Sequence, residues 1–286
     1  MNAIMNIFLR AKQLACRLIW NASPKLYMGL VYFKHRGRLP NFKAPRDLSE
    51  IVLSQILSGE IKKYAPYADK LEVRNFIASL GFEKYLPKLY GVWDSPDLVD
   101  FSSLPQSFAL KTNHAGGYHC ICPDKSSLDE AAARATISEA FRFRMGPMEP
   151  HYGLIRPKCY AEEYINDGMG RLPVDYKFMC CDGKIKCVLC CVDRDSCLAF
   201  ITYDLDWNRL EWVRAYERSP KSLPKPENLG EMARIAGEIA SHFEQVRVDF
   251  YSLPGGRILI GELTFTPEGG FMRYFTNDAL LKMGRG

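Results

Sequence analysis

Two carboxylates late in the chain, Asp249 and Glu262, lie in runs that read as successive strands, VRVDFY and RILIGEL, joined by Leu253-Pro254-Gly255-Gly256. Gly-Gly is a favoured two-residue hairpin turn because both positions accept positive φ. With Gly255-Gly256 as that turn, Pro254 faces Arg257, Tyr251 faces Ile260 and Asp249 stands opposite Glu262. Alternation then puts Arg247, Asp249, Glu262 and Thr264 on one side, and Val246, Val248 and Phe250 on the other. Opposed carboxylates with Cβ atoms about 5 Å apart repel, so something positive belongs between them. Mg²⁺ satisfies that need, since it takes one or two protein carboxylates and completes its shell with phosphate oxygens and water. Arg247 serves either as counter-ion or as a stabiliser of charge on a transferring phosphoryl group. The competing reading is a salt bridge among Arg247, Asp249 and Glu262 on a wet sheet face, and the pattern alone favours it. Thr264, Thr266, Pro267 and Gly269-Gly270 shift the balance, because a strand ending in small polar residues and glycines admits a ligand close to backbone.

Two lysines carry a complementary charge. Lys111 ends the run FALKTNHAGG, next to a loop in which His114, Gly116 and Gly117 can meet phosphate through side chain or backbone N–H groups. An ordinary hairpin with an exposed lysine would look the same. Lys177, in DYKF, lies on a strand that turns at Asp182-Gly183. Between the lysines, AEEYIND places Glu162 and Glu163 at a strand end, as an adenine-reading hinge would; a solvated acidic strand end fits equally well.

The elements that must position these residues read as α+β. Residues 1–68 are expected to be helical, with Ser23-Pro24 as N-cap and first helical position, and Asp47 with Glu50 as a capping box closed by Gly59. A helix from Asp69 ends at Gly81. Strands follow at Phe108 to Thr112 and Tyr118 to Cys122, then a helix capped by Ser127 and Glu130. Further strands run from Lys158 to Ile165, Asp175 to Cys181, Lys184 to Val192, Val246 to Tyr251 and Arg257 to Leu263, with an amphipathic helix over Glu227 to Phe243. Hairpins outnumber helices and no GxGxxG is present, which argues against a doubly wound parallel sheet.

Composition limits the rest. A chain of 286 residues, 47% hydrophobic, buries a full core, and 38 Lys+Arg against 33 Asp+Glu is too even a balance for a nucleic-acid binder. Cys180, Cys181, Cys187, Cys190 and Cys191 tempt a zinc reading, but alternation sends Cys187 and Cys190, and each adjacent pair, to opposite faces; packing by free thiols is expected. Nothing at the N-terminus reads as an export signal, so the expected compartment is a reduced cytoplasm. Ile4, Phe8, Ala11, Leu14, Ala15 and Leu18 form a helical stripe broken by Arg10, Lys12 and Arg17, too charged for a membrane span. Such a stripe more often packs on its own domain than rests on the inner face of an anionic membrane.

The order of parts is more specific than any one of them. Through DKLEVRNFI, YLPKLYGVWDSP, LKTNHAGG, AEEYI, DYKF, YDLDWNRL, VRVDFY and GELTFTP, over roughly Tyr64 to Phe271, the chain resembles the ATP-grasp superfamily, and more narrowly its TupA-like branch. The resemblance implies two α+β subdomains, 69–160 and 161–286, holding ATP between them, behind an N-terminal helical extension, 1–68. It implies that Lys111 and Lys177 contact phosphates, that backbone around Tyr164 and Ile165 reads adenine with Glu162 or Glu163 assisting, and that Asp167 meets the ribose. Asp249 and Glu262 match the family's Mg²⁺ carboxylates, with Thr264 where many relatives carry Asn. Ala115 stands where glycine is expected, and Glu268-Gly269 where small residues are usual. The implied activity is an ATP-dependent carboxylate–amine ligation through an acyl phosphate, with Arg247, Lys111 and Lys177 stabilising negative charge. The implied substrates are a uronic-acid-type carboxylate of a surface polysaccharide, as in capsule or O-antigen, and an amino acid or other amine. Arg194 and Arg273 are read as contacts for an anionic substrate, although exposed arginines more often only solvate a surface. Trp207 is read as core more often than as a sugar-stacking ring. A glycosyl- or phosphotransferase of the same pathway, and a non-catalytic nucleotide-binding scaffold, are the alternatives.

Overall fold

The computed structural model describes residues 14–114, 116–117, 119–143, 146–192 and 198–285. A helix occupies residues 14–22 (α1), followed by α2 (Pro24–Arg36) and α3 (Leu48–Ser58). The expected starts hold: Ser23 Oγ accepts from the Leu26 N–H, and Asp47 and Glu50 cap each other's backbone before Gly59 closes α3 in the left-handed region. Two short helices, α4 (Ala65–Ala68) and α5 (Val73–Ser79), lead into the first sheet. There Asp69 accepts from the N–H groups of Leu71 and Glu72, so the expected helix from Asp69 begins as a capped turn.

The first sheet is antiparallel, in the order β1 (Leu89–Trp93), β4 (Cys159–Glu162), β2 (Phe108–Thr112), β3 (His119–Cys122). Helix α6 (Glu130–Arg142) covers it, packing Ala133 and Ile137 with Phe108, Leu110, Cys159 and Ala161. Ser127 does not cap α6. Asp129 does, accepting from the Ala132 N–H at 2.9 Å, while Ser127 donates to the Asp124 carbonyl in a separate turn. In DKSSLDE both caps are aspartates, Asp124 accepting from the Ser126 N–H and Asp129 from the Ala132 N–H, bonds in which the acceptor is charged.

The second sheet is also antiparallel, in the order β10 (Arg257–Thr264), β9 (Gln245–Leu253), β5 (Asp175–Cys181), β6 (Lys184–Val192), β7 (Ala199–Tyr203), β8 (Arg209–Leu210). Strands β5 and β6 have the expected limits, and Asp182 (φ 51°) and Gly183 (φ 68°) make the tight turn between them. Helix α7 (Leu229–Ala240), shorter at both ends than its sequence pattern, buries Met232, Ile235, Ala236 and Ile239. Helices α2 and α3 join the same core, with Tyr32, Ile51 and Leu53 in one apolar cluster with Phe178, Val248 and Phe250. Buried Arg36 ties α2 to the chain's end, donating to the carbonyls of Phe271, Met272 and Phe275 at 2.7–2.8 Å, ahead of α8 (Asn277–Met283). All nine cysteines of the described residues are free, and none of the described residues form a group of three or more His, Cys, Asp or Glu able to hold a metal ion.

The β9–β10 hairpin corrects the expected register. Leu253 pairs with Arg257, so the turn is Pro254-Gly255-Gly256, three residues long, and Tyr251 faces Leu259 rather than Ile260. A β-bulge at Gly261 then inserts one residue, and Asp249 returns to a position opposite Glu262, with Arg247 opposite Thr264. The carboxylate pairing expected from the sequence is present, reached by two offsets that cancel.

Candidate functional site

A cavity of about 320 Å³ lies between the two sheets. The first sheet contributes Lys111 and Glu162, on neighbouring strands; Lys111 Nζ meets Glu162 Oε1 at 2.7 Å. The second contributes Lys177, which pairs in register with Asp249 and lies 2.5 Å from its Oδ2 and 2.6 Å from Asp175 Oδ2. Asp249 also accepts from Arg247 Nε and Nη2, both at 2.7 Å, and Arg247 Nη2 reaches Glu262 Oε1 at 3.0 Å. Thr264 donates to the same oxygen at 3.2 Å, and Lys70 Nζ stands 3.8 Å from Glu262 Oε2. Six charges therefore alternate in a chain: Asp175, Lys177, Asp249, Arg247, Glu262, Lys70.

The chain sets the ionisation of its members. Burial works against a charge on Glu262, but Lys70 and then Arg247 outweigh it and hold the carboxyl at about 2. Burial pushes Asp249 upward, against the pull of Arg247 and Lys177. The three charge-assisted bonds it accepts require the carboxylate form. Lys177 is buried too, which disfavours its charge; Asp249 and Asp175 reverse this and raise it. Lys111 is likewise raised, with Glu162 overcoming burial.

Gly116, Gly117, Glu163, Tyr164 and Ile165 also line the cavity. Tyr164 and Ile165 lie past the end of β4, which stops at Glu162 rather than Ile165, so their backbone is not committed to the sheet. Glu163 is committed elsewhere: its N–H donates to the Lys88 carbonyl at 2.9 Å and its carboxylate binds the Arg257 guanidinium, at 2.6 Å for Nη2. Other expected residues stand apart from the lining. His114 is buried edge-on to Phe141, Asp167 folds its own loop by accepting from Met169 and Arg171, and Arg273 pairs with Glu268 on the surface. Arg247 and Thr264 hydrogen-bond to the carboxylates and are not among the residues lining the cavity. Arg194 and Ala115 lie outside the described residues. Trp207 stacks on Tyr203 at 4.2 Å between ring centroids and donates to the Leu223 carbonyl, a packing role.

Lys70, Asp175 and Thr112 line the cavity without having been assigned a role in the sequence. Lys70 reaches the cavity because its neighbour Asp69 accepts from Asn113 Nδ2 at 2.9 Å and its own N–H donates to the Asn113 carbonyl, pinning DKL to the end of β2. Nothing local announces that contact. Asp175 was legible, since it lies two residues before Lys177 and so on the same face. Thr112 presents a buried Oγ1 with no hydrogen-bond partner among the described residues, a polar atom suited to a bound group.

Two antiparallel sheets closing on a lysine- and carboxylate-lined cavity define an α+β protein. The family described as TupA-like ATPgrasp matches residues 50–284, and the chain belongs to it. No curated protein matches the sequence. Similar solved structures include D-alanine–D-alanine ligase from Bacillus anthracis complexed with ATP (16% identity, 70% of this chain and 55% of that one, TM-score 0.40). L-amino acid ligase from Bacillus licheniformis (13%, 81% and 47%, TM-score 0.45) and N5-carboxyaminoimidazole synthetase from Staphylococcus aureus (13%, 77% and 52%, TM-score 0.44) are similar to a comparable degree. The chain spans about half the length of these proteins.

Mg²⁺ and ATP fit the residues present. Asp249 and Glu262 would offer hard oxygen ligands, Lys70, Lys111 and Lys177 would offer charge to phosphate, and the cavity volume falls in the range of small-molecule sites, roughly 300–1,000 Å³.

Proposed function

We propose that the chain binds Mg²⁺-ATP between its two sheets and joins a carboxylate to an amine, the carboxylate being of uronic-acid type in a surface polysaccharide and the amine an amino acid or related compound. The observation that carries this reading is the alternating six-charge chain that runs through the opposed pair Asp249 and Glu262, which line the same cavity as Lys111. A carboxylate is a poor electrophile, and bound Mg²⁺-ATP supplies the phosphoryl group that activates it. Asp249 and Glu262 hold the metal. Lys111, Lys177 and Lys70 neutralise phosphate oxygens, and the Gly116-Gly117 backbone leaves room for them. Backbone at Tyr164 and Ile165 meets the adenine edge, with Glu162 beside it. Glu163, held by Arg257, fixes the hinge instead of reading the base. Arg247 orients both carboxylates and keeps positive charge near the reacting centre.

Incubation with ATP and panels of uronic acids and amino acids tests the reading. Release of ADP and phosphate that requires both partners, with an amide product by mass spectrometry, is expected. Phosphorylated sugar accumulating without amine would replace it with phosphotransfer. Equal polymer modification in cells by the wild type and an Asp249→Asn/Glu262→Gln double variant would leave only a scaffold.

A further inference from the structure

The N-terminal helices carry a second surface, separate from the cavity. Residues 1–46 contain nine Lys and Arg and neither Asp nor Glu, whereas the rest of the chain has more acids than bases. Within this basic stretch the described helices leave large apolar side chains in solvent. On α1, Leu14 and Leu18, one turn apart, are 59% and 60% exposed. The stripe expected to pack on its own domain therefore points outward at these positions; Ile4, Phe8 and Ala11 lie outside the described residues. On α2, Leu26, Leu30 and Phe33 follow at i, i+4 and i+7 and are each about half exposed, while Met28, Tyr32 and Arg36 on the other side are buried. Helix α2 is thus apolar on both sides, and only the inner one is covered. Arg17, Lys25 and Lys34 are exposed alongside.

We infer that α1 and α2 form a docking surface for an anionic lipid bilayer, with Leu14, Leu18, Leu26, Leu30 and Phe33 entering the headgroup–acyl boundary and Arg17, Lys25 and Lys34 meeting lipid phosphates. An apolar helix face rimmed by cations, without a single acid, matches a surface that is negative throughout and greasy beneath. A second copy of this chain is a poor occupant, because a symmetric contact would set this basic face against itself. No helix among the described residues is long and apolar enough to cross a membrane, so the contact is one of lying on the bilayer.

Sedimentation of the full chain with vesicles tests this independently of any catalytic activity. Association is expected with phosphatidylcholine mixed with phosphatidylglycerol, weakened by salt, and much less with phosphatidylcholine alone. The Leu26→Ser/Leu30→Ser/Phe33→Ser variant should lose about tenfold or more in partitioning, and Lys25→Glu/Lys34→Glu should do the same at low salt. Both change exposed residues, and thermal melts followed by circular dichroism check that they fold. Failure of the wild type to bind anionic vesicles overturns the inference, as does binding that neither variant weakens. A wild-type dimer that the serine variant converts to monomer, with no vesicle binding, would assign the surface to a second copy.

Discussion

The two sheets that face the cavity handle buried charge differently. On the four-stranded sheet one lysine meets one glutamate, Lys111 with Glu162, and the partnership is local. On the six-stranded sheet the charges run in series, so that Lys177, Asp249, Arg247 and Glu262 each touch two groups of opposite sign. A ligand charge arriving at the pair opens a single contact. In the series Asp249 and Glu262 each keep a second cation, Lys177 and Lys70, when a ligand competes for one of their partners.

Removing a link of the series should cost most. Arg247→Met leaves Asp249 and Glu262 facing each other without their shared guanidinium, and a loss of roughly 3–5 kcal/mol in urea unfolding is expected. A loss under about 1 kcal/mol would mean the chain is not a structural unit. On the simpler sheet, Lys111→Met strands one buried carboxylate, for about 1–3 kcal/mol. Its larger consequence should be weaker nucleotide binding by calorimetry, and unchanged affinity would remove Lys111 from the phosphate site. The acid limb of stability should separate the sheets further. Glu262 is held at about 2 in the folded chain against an ordinary 4.5, so its contribution is complete above pH 4.5 and fades as pH falls towards 2. Glu262→Gln should flatten unfolding free energy across that window. Because a third of the side chain meets solvent, added salt should shrink the effect. The smallest change is expected from Gly261→Ala, on the order of 1 kcal/mol or less. The new Cβ would lie 3.2 Å from Tyr251 Cε2 and 3.4 Å from the Asp249 carbonyl, so nucleotide affinity should respond more than stability.

Much of this was legible because it is written in short-range rules. The caps at Ser23 and Asp47 and the Asp182-Gly183 turn depend on neighbours within four residues, and the structure holds them. Strand β1 was not foreseen. Its Gly91 lies under the Trp93 ring, where a Cβ would come within 2.5 Å, and a bulge beside it breaks the alternation that marks a strand. Strand β8 is two residues long and exists only through pairing with β7. Lys70 was missed for the opposite reason: its position depends on a bond between residues 44 apart in sequence, Asp69 and Asn113. The carboxylate pair was found with an incorrect turn, because the bulge that restores its register leaves no mark beyond one glycine among several.

That bulge bears on how the site can be reshaped. Deleting Gly261 would give an unbroken ladder in which Asp249 still faces Glu262, so pairing does not require the extra residue. What it provides is a stretch of bare backbone forming part of the cavity wall between Tyr251 and Asp249. Depth and charge are therefore separately adjustable here: the cavity can be made shallower at position 261 while every ionised group keeps its partner.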